Sequence, residues 1–117
     1  MNIEAFRDYC IAKKGVTESF PFDKNTLVFK VMGKMFALAD IETFEFINLK
    51  SDPEKAIELR EKFQGIKPGY HMSKVHWNSV YVNTDVADGF VLQLIDESYS
   101  LIVSSLTKKL KEELKQL

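Results

Sequence analysis

Both histidines, the only tryptophan and two of the four tyrosines of this chain fall in one run, Ile66 to Val82. Imidazoles suit proton transfer near neutral pH, and aromatic rings beside lysines suit stacking on bases next to phosphate contacts. The charge pattern singles out the same stretch. No Asp or Glu occurs between Glu61 and Asp85, whereas Lys62, Lys67 and Lys74 do.

The first chemistry this allows is a nucleic-acid surface. Lys62, Lys67 and Lys74 would meet phosphates, joined by Lys34 at the hairpin tip, while Tyr70 or Trp77 stacks on a base or sugar and His71 and His76 complete the patch. With only ~3 or 4 phosphate contacts, binding to DNA is expected to be weak and non-specific, its log affinity falling with log salt at a slope of about −3.

The second is acid–base work on a small ligand, with His71 and His76 as the proton carriers and Tyr70, Ser73 or Asn78 orienting the substrate. No acid lies near either imidazole in sequence to orient it, so a partner such as Asp40 or Glu45 must come from elsewhere in space. No glycine-rich loop follows a strand, and Ser73 has no nucleophile-elbow context. The chain therefore reads as a non-enzymatic module sooner than as a catalyst. A third reading is structural, in which a buried histidine bonds loop backbone and locks it.

Metal and cofactor sites are not expected. Glu4 and Asp8 are interleaved with Arg7, and His71 and His76 lack the i, i+4 spacing of a helical ligand pair.

The 117 residues, with 45% hydrophobic and 28% charged content, match one globular domain over residues 1–117. The formal net charge of −1 confines any nucleic-acid role to a local patch. A lone Cys10 forms no internal disulfide and favours a reducing compartment. No stretch approaches the ~18 apolar residues of a membrane span and no leader pattern opens the chain, so a cytoplasmic protein without membrane attachment is expected.

The elements that must position the central run follow from periodicity. Ile3, Phe6, Cys10 and Ile11 predict an amphipathic first helix closed by Gly15, and Glu18 to Asn25 reads as a connection. Thr26–Met32 and Lys34–Ala39 predict a hairpin about Gly33, and Thr43–Leu49 a third strand. Ser51-Asp52-Pro53-Glu54 is a helix start, with Ala56, Leu59 and Phe63 on the buried side. Pro68-Gly69 reads as a turn and His76–Val82 as the last strand. A helix capped by Thr84 or Asp85 follows, with a break near Asp96–Ser98. The final stripe, Leu106, Leu110, Leu114 and Leu117, reads as a helix laid on the core of a monomer, with dimerisation as the alternative. The sum is an α+β domain: an N-terminal helix, an antiparallel sheet of about four or five strands, and helices in the C-terminal part.

The run Pro68-Gly69-Tyr70-His71-Met72-Ser73-Lys74-Val75-His76-Trp77 resembles the Pro-x-Tyr-His-Met-x-Lys-x-His-Trp signature of the MmcQ/YjbR-like family of small bacterial proteins. Phe20-Pro21-Phe22, Phe29 to Leu38, Asp52-Pro53-Glu54 and Ser98-Tyr99-x-Leu101 are similar in register, so the resemblance covers nearly the whole chain. It implies a CyaY-like fold, also described as a double-wing arrangement, and a DNA-binding role through Tyr70, His71, Met72, Lys74, His76 and Trp77. Gly69, Ser73 and Val75 stand where the family often has Ala, Asn and Lys, which removes one lysine from the motif.

Overall fold

The computed structural model describes residues 1–117. Helix α1, Ile3–Ile11, starts where the Asn2 side chain accepts the Ala5 N–H at 2.9 Å, and it buries Phe6 and Cys10. Burial pushes the Cys10 thiol up to about 12. Strand β1, Val16–Ser19, pairs antiparallel with β2, Thr26–Val31, which turns through Met32 (φ 50°) and Gly33 (φ 87°) into β3, Lys34–Asp40. Two successive positive φ values make the tight turn that suits strand twist, and glycine takes the second without strain.

Strand β4 is Phe46–Lys50 and helix α2 is Pro53–Lys62, capped by Asp52 with proline in its first turn. Two more strands follow, β5 at Ile66–Pro68 and β6 at Trp77–Tyr81. Helices α3, Asp88–Ser104, and α4, Lys108–Lys115, complete the chain. The six strands form one antiparallel sheet in the order β1-β2-β3-β4-β6-β5, leaving β1 and β5 as its two ends.

Strand alternation gives the sheet two unlike faces. On the inner face Leu27, Phe29, Val31, Ala37, Ala39, Ile47, Leu49 and Val80 join Phe6 of α1 and Val91, Ile95 and Ile102 of α3 in the main core. A register shift between Phe29 and Lys30 leaves Phe36 as the extra residue of β3, so that Phe36 and Ala37 are both buried. Val28, Leu38 and Trp77 form a separate small cluster with Met35 and Met72. Alternation places Val28 and Leu38 on the opposite, outer face.

Several expectations are corrected here. The sheet has six strands because β1 and β5 acquire strand geometry only by pairing with β2 and β6. The strand expected from Thr43 begins at Phe46, since the Asp40 carboxylate accepts the N–H groups of Glu42 and Thr43 in a turn and Phe44 takes φ 41°. No break occurs at Asp96–Ser98. Ser98 is buried, its hydroxyl donating to the Phe36 carbonyl at 2.6 Å and accepting from the Lys50 N–H at 2.9 Å, so α3 passes through unbroken. Neither Thr84 nor Asp85 caps α3, whose N-cap is Ala87 with no side-chain bond; the two Asp85 oxygens instead accept the Gln64 and Gly65 N–H groups at 2.8 Å each.

The leucine stripe lies on the core. Leu106 and Leu114 are buried and Leu110 packs beside them, whereas Leu117 stays exposed. Gly15 (φ 76°) makes the seat: a Cβ there would stand 2.5 Å from a Leu114 methyl. No helix is long and apolar enough to cross a membrane.

Candidate ligand cleft on the outer face of the sheet

Strands β3 and β4 register at only two pairs, Ala37 with Leu49 and Leu38 with Asn48. Beyond Leu38 the strands are separated by the turn over residues 41–45, and a cleft of about 550 Å³ opens there. Leu38 and Met72 supply apolar wall, with Phe22, Phe46, Tyr70 and His71 as rings. Thr26, Thr43, Asn48, Asp23 and Asp40 supply the polar part. The size and the mixture are those of a small-molecule site.

The loop over residues 69–76 forms one wall and is held from several sides. Gly69 N–H donates to the Trp77 carbonyl at 2.9 Å, and Trp77 N–H donates to Ser73 at 2.9 Å. Beneath it runs a polar chain in which Ser79 Oγ donates to Asn48 Oδ1 at 2.5 Å, accepts Tyr70 N–H at 2.9 Å, and Asn48 Nδ2 donates to the Tyr70 carbonyl at 3.1 Å. Arg60 of α2 clamps the far end, donating to Asn78 Oδ1 at 2.7 Å and to the carbonyls of Lys74 and Trp77. With its backbone groups bound in this way, the loop can hold His71 at φ 58°, a left-handed conformation that costs a non-glycine residue energy.

Aromatic rings form a continuous row across this face. Tyr81 and Phe46 lie with centroids 5.0 Å apart, Phe46 and Tyr70 5.9 Å, and Tyr70 and His71 4.0 Å. The Lys67 ammonium stands 5.3 Å over the Tyr81 ring at one end of the row. Tyr70 is 57% exposed and Phe22 64%, so two large apolar side chains meet water at the cleft.

The acids come from the opposite wall. Asp23 Oδ1 accepts the N–H groups of Asn25 and Thr26, at 2.9 and 2.7 Å, and these bonds hold its carboxyl below the ordinary value of 3.8. Asp40 faces Thr26 across the β2–β3 pair; its Oδ1 takes the two turn N–H groups while Oδ2 has no partner in the chain.

Of the residues expected at the site, Tyr70 and His71 line the cleft. Lys67 lies at the end of the aromatic row. Lys74 is near in the loop, but its ammonium donates to the Gly69 carbonyl at 2.5 Å and serves to close the loop. Lys62 ends α2 with its ammonium 5.7 Å from the Phe63 ring. His76 is exposed and outside the cleft lining, so the two imidazoles do not converge on it. Trp77 is 9% exposed and packs on Val28 and Leu38, which leaves Tyr70 as the ring with a free face. His71 is exposed and bonded to nothing, so the loop lock is made by Asn48, Ser79 and Arg60 instead.

Phe22, Asp23, Thr26, Thr43 and Phe46 line the cleft although the sequence marked none of them as a site residue. Asp40, which the sequence offers only as a distant partner for an imidazole, lines it too. The usable signal was the alternation of β4, which sends Phe46 and Asn48 to the face opposite Ile47 and Leu49.

A second, more open hollow of about 420 Å³ lies between the start of α2 and α3, with Leu101 as its one apolar wall residue. Its Lys55 and Glu97 are already paired at 2.6 Å.

The family model YjbR matches residues 11–101, which include the whole of the cleft and its loop. The chain belongs to the YjbR family. Full-length similarity agrees: the uncharacterized protein YjbR of Escherichia coli strain K12 is 32% identical over 118 residues, covering 100% of each chain. The uncharacterized protein YbdF of Escherichia coli O157:H7 is 42% identical over 91 residues, 77% of this chain and 75% of that one. Among solved structures, the Deinococcus radiodurans protein DR2400, described as a DUF419 domain, superposes with a TM-score of 0.91 at 37% identity, over 97% of this chain and 88% of its own. A Pseudomonas syringae protein gives 0.74 at 33% identity, over 86% of this chain and 98% of its own. This YjbR-family chain is thus a four-helix, six-strand α+β arrangement with an open antiparallel sheet.

Proposed function

We propose that this YjbR-family chain is a non-enzymatic binding module that holds a small, flat, mainly apolar ligand in the cleft of the outer sheet face. The observation that carries the reading is the cleft itself: about 550 Å³, walled by Phe22, Phe46 and Tyr70 and bordered by unlike polar groups. Exposed aromatic rings in a concave site gain from covering, and the polar border orients what covers them. Catalysis is the weaker reading because His71 has no hydrogen-bond partner to orient it and His76 lies elsewhere.

The test is an amide NMR titration with a library of aromatic fragments. Shifts should centre on Thr26, Thr43, His71 and Met72 and should vanish in Tyr70→Ala, whose exposed side chain leaves the fold intact. Shifts scattered over the surface, or centred on α2 and α3, would remove the reading.

A nucleic-acid role is the second reading, favoured by the row Lys67, Tyr81, Phe46, Tyr70 and His71, along which successive bases of a single strand can stack. With Lys74 engaged, about two ammonium groups remain for phosphates, so the salt slope for a single strand falls to roughly −1.4. A labelled random single strand and duplex at low and moderate salt decide it. Micromolar, salt-sensitive binding that Lys67→Ala weakens supports DNA as the partner, and silence at low salt removes it.

A further inference from the structure

We propose that the ligand of the cleft is a small organic ammonium, a cation on an apolar or aromatic body; this rests on the cleft being a ligand site at all. The charge of the lining is one-sided. Asp23 and Asp40 contribute carboxylates, and no lysine or arginine lines the cleft. Around the rim, exposed Glu42 and Glu45 between Asp40 and Phe46 outnumber the one exposed lysine, Lys24 beside Asp23, so the sign stays negative. An ionised carboxylate is a pure acceptor, and Asp40 Oδ2 has no donor within the chain.

The rings agree independently with the carboxylates. Phe22, Phe46 and Tyr70 present aromatic surface in the same cleft, and the face of such a ring attracts a cation by its quadrupole. An ammonium inserted here meets ring faces and carboxylate oxygens together, while its apolar body covers Leu38 and Met72. An anion meets the opposite: two like charges and no partner cation. The carboxylates therefore disfavour a phosphate or carboxylate inside the cleft relative to an amine.

Three probes of closely similar size separate charge from apolar body: 2-phenylethylamine, 2-phenylethanol and phenylacetate, each titrated at millimolar concentration into the full chain with amide resonances as readout. The amine should move Thr26, Thr43, His71 and Met72 and bind roughly tenfold or more tightly than phenylacetate, with the alcohol between them. Raising the salt should narrow that ratio. In the Asp23→Asn, Asp40→Asn double variant, where the amide oxygens keep accepting the turn N–H groups, the ratio should fall towards one while the alcohol still binds. Equal or tighter binding of phenylacetate to the wild type overturns the charge selection and leaves the cleft reading standing. Absence of cleft shifts with all three probes overturns both.

Discussion

At the scale of single residues, the signature run divides into side chains that build and side chains that face out. Trp77 builds: it is 9% exposed and shares a cluster with Val28 and Leu38. His71 faces out, at φ 58° and with no bonded partner. Their replacements should therefore differ in kind. Trp77→Ala is expected to lower stability by about 3–5 kcal/mol, the usual result of emptying a large buried site. His71→Gly should leave stability within about 1 kcal/mol of wild type, because glycine adopts the left-handed conformation without strain. Urea melts of the two variants check this, and a large loss for His71→Gly would give the imidazole a structural role. The run was legible in sequence as a concentration of unusual side chains. Which of them are buried was not, because Trp77 gains its neighbours from β2 and β3, far away along the chain.

At the scale of elements, those with local signals were legible. The spacing of Ile3, Phe6, Cys10 and Ile11, the glycine at Gly33 and the pair Asp52-Pro53 each act over short stretches of chain, so α1, the β2–β3 hairpin and the start of α2 were legible, whereas the Asn2 cap of α1 was not singled out. Strand β1 was not, since Thr17, Glu18 and Ser19 become a strand only by pairing with Lys30, Phe29 and Val28. The polar run Asp96-Glu97-Ser98 misled in the opposite direction: Tyr9 and Lys13 reach Asp96, Lys55 reaches Glu97, and Ser98 bonds the sheet, so residues that suggest a turn instead bind a helix to its surroundings. Asp85 gives this scale its prediction. Hydrogen bonds from the Gln64 and Gly65 N–H groups hold its carboxyl below the ordinary 3.8. A depressed folded value means that the contribution is complete above the ordinary value and is lost as pH falls through the lower one. The stability difference between wild type and Asp85→Asn should thus stay constant from neutral pH down to the usual carboxylate range and shrink below it. Urea melts stepped into acid measure it, and a difference that persists at the lowest pH would assign the effect to something other than the charge.

At the scale of the molecule, the α+β class and the antiparallel sheet were legible, because alternating strands and amphipathic helices can bury their apolar faces in few ways. The cleft was not, since its two walls come from Phe22 to Thr43 and from Phe46 to Met72 and exist only once β3 and β4 separate. The C-terminal leucine stripe is committed to this chain's own core through Leu106, just before α4, and Leu110 and Leu114 within it. Sedimentation is therefore expected to give one monomer-sized species at every concentration, and a concentration-independent dimer would point to pairing through another surface. The open sheet also bears on how the protein behaves when crowded. An open sheet has two rims at which a neighbouring molecule can attach and propagate a fibre. The β5 rim spans three residues and ends in Pro68, which has no N–H to offer, while the β1 rim spans four and has Arg7 bound to Glu18 at 2.7 Å beside it. Any templated growth is thus restricted to the β1 side, and the single direction left open is both short and charged.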